Sequence, residues 1–185
     1  MIPRISMNED RLTLDDVWEQ YQTVRDSVNR RVVEFKRIPA ERFFGKTEIE
    51  VQEYFDEVLD ELDIETSFFL LASIEAEIRT DFLRRVYERR KDPVSRRFRE
   101  TYKGVACAHD KAKVRLEEDI LDPWAQLEPE AKQFIGDLKG ALKYRNWLAH
   151  GRYWIPKLGR LTYDPSALVR LATDFFRIVG IAQTS

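Results

Sequence analysis

Glycine and proline, the two residues that most readily interrupt a helix, occur only seven times each in this chain of 185 residues. Glu, Arg, Leu and Ala are plentiful. A backbone with so little punctuation and so many good helix formers is expected to be helical nearly throughout. No internal repeat or low-complexity linker divides it, and its length suits one domain able to bury a core without covalent staples.

Apolar spacing places the helices. Val17, Tyr21, Val24, Val28 and Val32 recur every three or four residues, predicting a first helix from about Leu14 to Lys36 that stops before Pro39. Thr47 and Glu50 form a capping-box pattern for a second helix carrying Val51, Tyr54, Phe55, Val58 and Leu59. A third, the most apolar, is expected from Ile64 to Arg90 with Phe68, Leu71, Ile74, Ile78, Phe82, Leu83 and Val86 inside. It should end near Pro93, because the residue before a proline avoids the α region. Residues 94–121 read as helical, with a break near Gly104. Pro129 and Gly151 bracket the next helix in the usual order of proline at the start and glycine past the end. Around Pro156 and Gly159, residues 152–164 alternate aromatic and branched side chains, which suggests a short β-hairpin or an irregular loop. A last helix over Pro165 to Gly180 turns Leu168, Leu171, Phe175, Phe176 and Val179 inward. The fold class is therefore all-α, a helical bundle.

Charged residues make up 35% of the chain, yet the net charge is only -2. That excludes a basic nucleic-acid tail and an acidic disordered segment. The single cysteine excludes an internal disulfide framework. No apolar run approaches the roughly 18 residues of a membrane span, so the expected location is cytoplasmic, with no membrane partner. The charges are unevenly spread. Residues 84–103 carry Arg84, Arg85, Arg89, Arg90, Lys91, Arg96, Arg97, Arg99 and Lys103 against Glu88, Asp92 and Glu100, whereas residues 47–65 hold only acids. Two solvated faces explain this as well as a phosphate-binding patch on one side and a screen on the other.

The densest chemistry lies in "KYRNWLAHGRYW", residues 143–154. Asn146 and His150 are four apart and share a helix face, while Arg145 and His150 are separated by about 140° and converge poorly within one ideal helix. Two copies of the helix facing each other across a dimer axis would bring two Arg and two His into one cleft. Such a set suits RNA cleavage. Imidazole, with an ordinary pKa of about 6.5, can take or give a proton at cellular pH. Guanidinium stays charged and grips phosphate with a fork of donors. Two isolated histidines and one cysteine make no zinc site, and no cofactor is implied. Against this stands a plain reading, in which cations at a helix C-terminus gain about 0.3–1 kcal/mol from its dipole and Trp147 and Leu148 pack on the core.

"RNWLAHG" resembles the signature of the HEPN domain superfamily: Arg, a polar residue, a short spacer and His at the end of a late helix. "FFLLASIEAEIRTDFLRRVYER" is similar to the apolar Ser-x-Glu helix of HEPN proteins of the RiboL-PSP type, so the resemblance spans roughly residues 64–180. It implies a single HEPN-like domain over residues 1–185, with 1–45 an N-terminal helical extension and 46–185 the core bundle. It also implies a metal-independent endoribonuclease working as a homodimer. Toxins held by an antitoxin or nucleotidyltransferase partner, and antiviral effectors, belong to this superfamily. Carried over by position, Arg145 and His150 match the catalytic pair and Asn146 the polar residue after the Arg. Glu75 falls where an acid of the earlier helix approaches the site. One toxin group carries a modifiable Tyr two residues after the His; here that place holds Arg152, with Tyr153 next. The expected RNA contacts are Arg84, Arg85, Arg89, Arg90, Arg96, Arg97, Arg99 and Arg152. A non-catalytic HEPN-like scaffold, binding nucleic acid or a protein through the basic segment, is the alternative.

Three smaller features complete the reading. Cys107 and His109 point apart on a helix, so a small buried thiol is favoured over thiol catalysis. Gly136 and Gly140 either permit a close helix approach or are tolerated at about 1 kcal/mol each. Trp124, Trp147, Tyr153 and Trp154 read as core or as stacking surfaces for unpaired bases.

Overall fold

The structure, a computed structural model, describes residues 11–35, 41–107, 114–158 and 162–182. It is all-α: α1 Leu14–Phe35, α2 Glu48–Glu88, α3 Pro93–Cys107, α4 Asp122–Leu127, α5 Lys132–Ala149 and α6 Pro165–Val179, with no strand among the described residues. Short 3₁₀ turns at Glu41–Phe43 and Pro129–Ala131 lead into α2 and α5, and a π-helical turn, Leu116–Leu121, runs straight into α4.

α2 is the axis. The two helices expected over residues 47–59 and 64–90 are one helix of 41 residues, about 60 Å long at roughly 1.5 Å per residue. Its start is the expected capping box, with the Glu50 N–H donating to Thr47 Oγ1 at 3.3 Å and the Thr47 N–H donating to Glu50 Oε2 at 2.7 Å. It ends where Arg89 turns left-handed, φ 54°. α1 packs along its first half, and α3, α5 and α6 along its second. The break expected near Gly104 is also absent, since α3 runs through that residue. His109 lies outside the described residues, so the Cys107–His109 pairing does too.

The core lies around the second half of α2. Leu70, Leu71, Ile74, Ile78 and Phe82 are sealed from solvent together with Phe98 of α3, Trp124 of α4, Leu138 of α5 and Phe175 of α6. Burying each such side chain contributes roughly 1.5–3 kcal/mol. An aromatic file runs through it: Phe98 to Trp124 at 5.1 Å and Trp124 to Phe175 at 5.7 Å, both edge to face. Trp124 is thus core and offers no stacking surface. Phe43, Val51 and Phe55 form a separate small cluster, roofed by Arg42 stacked over Phe43 and Tyr54.

Candidate active site at the end of α5

α5 is amphipathic: Ile135, Leu138, Ala141 and Leu142 face the core. Gly140 permits a close approach, because a Cβ there would collide with the Tyr163 hydroxyl; Gly136 has open space beside it. Tyr163 is held from below, its carbonyl accepting from Ser67 Oγ of α2 at 2.8 Å. Its ring stacks on Tyr144, which stacks in turn on Trp147.

The helix closes with a complete Schellman turn. His150 is its cap residue, Gly151 follows at φ 76°, and the N–H groups of Gly151 and Arg152 donate back to the carbonyls of Leu148 at 3.0 Å and Trp147 at 3.2 Å. The glycine expected past the helix end sits where a left-handed residue is required. Arg152 is left-handed as well, φ 58°. Two such residues in succession turn the chain back, and the Trp147 indole N–H donates to the Trp154 carbonyl at 2.6 Å, pinning the returning segment. This is the irregular loop of the two forms expected over 152–164; no strand forms in its described part. It leaves Tyr153 at 82% and Ile155 at 93% exposure beside the helix end.

Arg145 and His150 point apart, as their helical offset requires. Arg145 turns toward α2, where its Nη2 pairs with Glu75 Oε2, while its Nε is shielded from solvent without a partner among the described residues. Glu75 Oε1 also accepts from Arg79 Nε at 2.8 Å. Two guanidiniums therefore share one carboxylate, an excess of one positive charge. His150 is exposed, its ring 6.0 Å from that of Trp154, and its side chain has no hydrogen-bond partner among the described residues. Asn146 is exposed, and its carbonyl accepts from the His150 N–H at 3.2 Å. Among the described residues no contact links Arg145 with His150. Arg79 escaped the sequence reading, although its place four residues after Glu75 is a standard ion-pair spacing.

Arg152 is exposed and ion-paired. It grips Glu61 of α2 through both Nη atoms at 2.9 and 2.7 Å, and those bonds raise its pKa further. Burial pushes the Tyr144 phenol above its ordinary value; nearby Arg152 opposes that and Glu61 adds to it.

The basic segment is less available than its composition suggests. Arg85 is no surface contact: it is buried, with Nε on Asp81 at 2.5 Å and Nη2 on the Val179 carbonyl at 2.7 Å. Arg90 pairs with Glu88, Arg97 with Glu100, and Arg99 donates to the Arg90 carbonyl. Arg89 and Arg96 are exposed and Arg84 half-buried. Along α2, residues 84–89 lie about 14–21 Å beyond Glu75 and roughly 35–42 Å beyond Glu61, by helical rise. They and the Arg152 end of the loop thus lie far apart along one helix.

Among the described residues no group of three His, Cys, Asp or Glu side chains is placed to hold a metal ion, and no helix is long and apolar enough to cross a membrane. No protein-family model matches the sequence, and neither a curated protein nor a solved structure matches it at a significant level.

Proposed function

We propose that this chain is an HEPN-like endoribonuclease that works without a metal, as a homodimer, through Arg145 and His150. The observation that carries the reading is the occurrence of a cationic, partly exposed Arg145–Glu75–Arg79 cluster and an exposed His150, whose side chain makes no hydrogen bond among the described residues, at the end of one helix. In the reaction the substrate's 2′-oxygen attacks the adjacent phosphorus as a base removes its proton. The bond from phosphorus to the 5′-oxygen breaks, and an acid protonates that oxygen. The products are a 2′,3′-cyclic phosphate and a 5′-hydroxyl. Guanidinium stabilises the charge that builds on phosphorus-bound oxygens, and imidazole moves the proton. Arg145 and His150 lie about 7–8 Å apart along the helix axis by rise alone, so a second protomer supplies the complementary groups. Asn146 is exposed on the same helix, and Glu75 positions Arg145. Tyr153 is accessible to a modifying nucleotidyltransferase. A toxin or defence effector restrained by a cognate antitoxin is the setting that the family resemblance suggests.

One observation favours a second reading. The exposed cations Arg89 and Arg96 lie near the far end of α2 from the loop that follows His150, as in a scaffold that binds nucleic acid without cutting it. Labelled mixed-sequence RNA, incubated in EDTA with wild type, His150→Ala and Arg145→Ala, separates the two, with light scattering reporting the dimer. Cleavage by wild type alone, leaving cyclic-phosphate ends, supports the enzyme. Binding without cleavage by all three folded proteins supports the scaffold.

A further inference from the structure

A cleft of about 190 Å³ opens between α1 and α2. α1 lines it with residues 17, 20, 21 and 24, and α2 with residues 62, 65, 66 and 69. Both walls follow the i, i+3, i+4, i+7 spacing that helices use to receive another helix. Three of the chain's exposed apolar side chains converge here: Leu12 at 41%, Val24 at 39% and Phe69 at 50%. An apolar cavity of roughly 150 Å³ accepts benzene, so this one has room for a single aromatic or branched aliphatic side chain.

The charge around the cleft selects what enters. No lysine or arginine lines it, whereas Glu65 does, and Glu65 makes no ion pair among the described residues. Asp15, Asp16 and Glu19 are exposed on the first turns of α1, and residues 47–65 of α2 carry acids and no base. We propose that the cleft docks a basic amphipathic helix of a partner protein. One apolar anchor enters between Val24 and Phe69, and flanking Lys or Arg side chains face Glu65 and the α1 carboxylates. In a second copy, neither the basic helix α3 nor the loop after α5 offers such a helix. The cations of α3 flank Val94, Phe98 and Tyr102, which are buried, and the exposed apolar side chains between Arg152 and Lys157 belong to a loop.

The test is selection of a displayed library of helical peptides on the full-length chain, followed by fluorescence anisotropy of the selected peptides. Selected sequences should carry Lys or Arg around apolar anchors at helical spacing and bind less tightly as salt rises. Phe69→Lys and Glu65→Lys, both at partly or fully exposed positions, should each weaken binding at least tenfold, while Lys103→Glu leaves it unchanged. Circular dichroism checks that each variant is folded. Selection of no peptide, or of acidic or neutral peptides, overturns the proposal, and so does affinity indifferent to both cleft variants. Light scattering that shows self-association abolished by Phe69→Lys assigns the cleft to a second copy and overturns it too.

Discussion

Arg85 and Arg145 each reach a carboxylate on α2, but the two pairs are built to opposite ends. Arg85 and Asp81 expose 8% and 2% of their side chains. The guanidinium also serves the Val179 carbonyl, approaches Asp92 at 3.7 Å and lies over Trp124. Arg145 and Glu75 expose 27% and 19%, and the Arg145 Nε has no partner among the described residues. One arginine closes the bundle by tying α2 to the end of α6. The other holds a charge near the surface, on the helix that ends at the exposed His150. Residue type is the same in both; the number of donors satisfied inside the protein separates a structural cation from one that can still meet a ligand.

The sharpest way to break this contrast is to remove each arginine. Arg85→Ala leaves the Asp81 carboxylate buried and alone, and should lower stability by about 3–5 kcal/mol in denaturant unfolding. Arg145→Ala, at a half-open pair, should lower it by only about 1–2 kcal/mol, between the ranges for exposed and buried pairs, while abolishing the proposed cleavage. Equal losses of stability would erase the distinction. Gly140→Ala comes next, with two opposed terms. Alanine improves helix propensity by about 1 kcal/mol, but forcing the Tyr163 ring away is an overpacking of about 1–3 kcal/mol. The net result should be a loss near 1 kcal/mol, with a changed near-ultraviolet signal from the Tyr163–Tyr144–Trp147 stack.

The buried pair should also carry its own pH signature. Burial raises the Asp81 carboxyl above its ordinary 3.8, and Arg85 only partly offsets this. Between 3.8 and the raised native value the folded state holds more protons than the unfolded one. The group's contribution to stability is therefore full below 3.8 and declines as pH rises through that window. Asp81→Asn should remove this part of the slope from a series of denaturation curves. The smallest effect belongs to the exposed Arg152–Glu61 pair. Arg152→Ala should change stability by less than about 1 kcal/mol, and by still less in high salt.

Local chemistry explains which elements could be read from the sequence. α1, α5 and α6 were legible because apolar spacing runs through each and a proline or glycine marks at least one end: Pro39 beyond α1, Pro129 and Gly151 around α5, Pro165 and Gly180 around α6. The continuity of α2 was obscured by the acids from Asp60 to Asp63, which look like a boundary. Yet neither glycine nor proline occurs from Lys46 to Asp92, and α1 packs against Asp63 itself, Tyr21 and Arg25 both bonding its carboxylate. The loop after α5 was half legible. Gly151 announced the turn, but nothing in the sequence marks Arg152 as left-handed or the Trp147 indole as the pin. The basic segment misled through Arg85, because composition cannot show that its partners Asp81 and Val179 lie inside. The placement of Glu75 beside Arg145 depends on two helices 70 residues apart in sequence packing together, and only the family resemblance pointed to it.

α2 has a further consequence for how the molecule opens. Its fully buried residues fall into two groups, Val51 and Phe55 near the start and Thr66 to Val86 later, with none between. The first group packs into the small cluster around Phe43, the second into the main core. A helix continuous in its hydrogen bonds is thus secured by two separate sets of contacts. Amide hydrogens in its first turns should exchange through local opening together with the Phe43 cluster. Those around Leu70 to Phe82 should exchange only when the whole bundle unfolds. One helix then spans two cooperative units, and its first turns can fray without loosening the frame on which Arg145 and Glu75 meet.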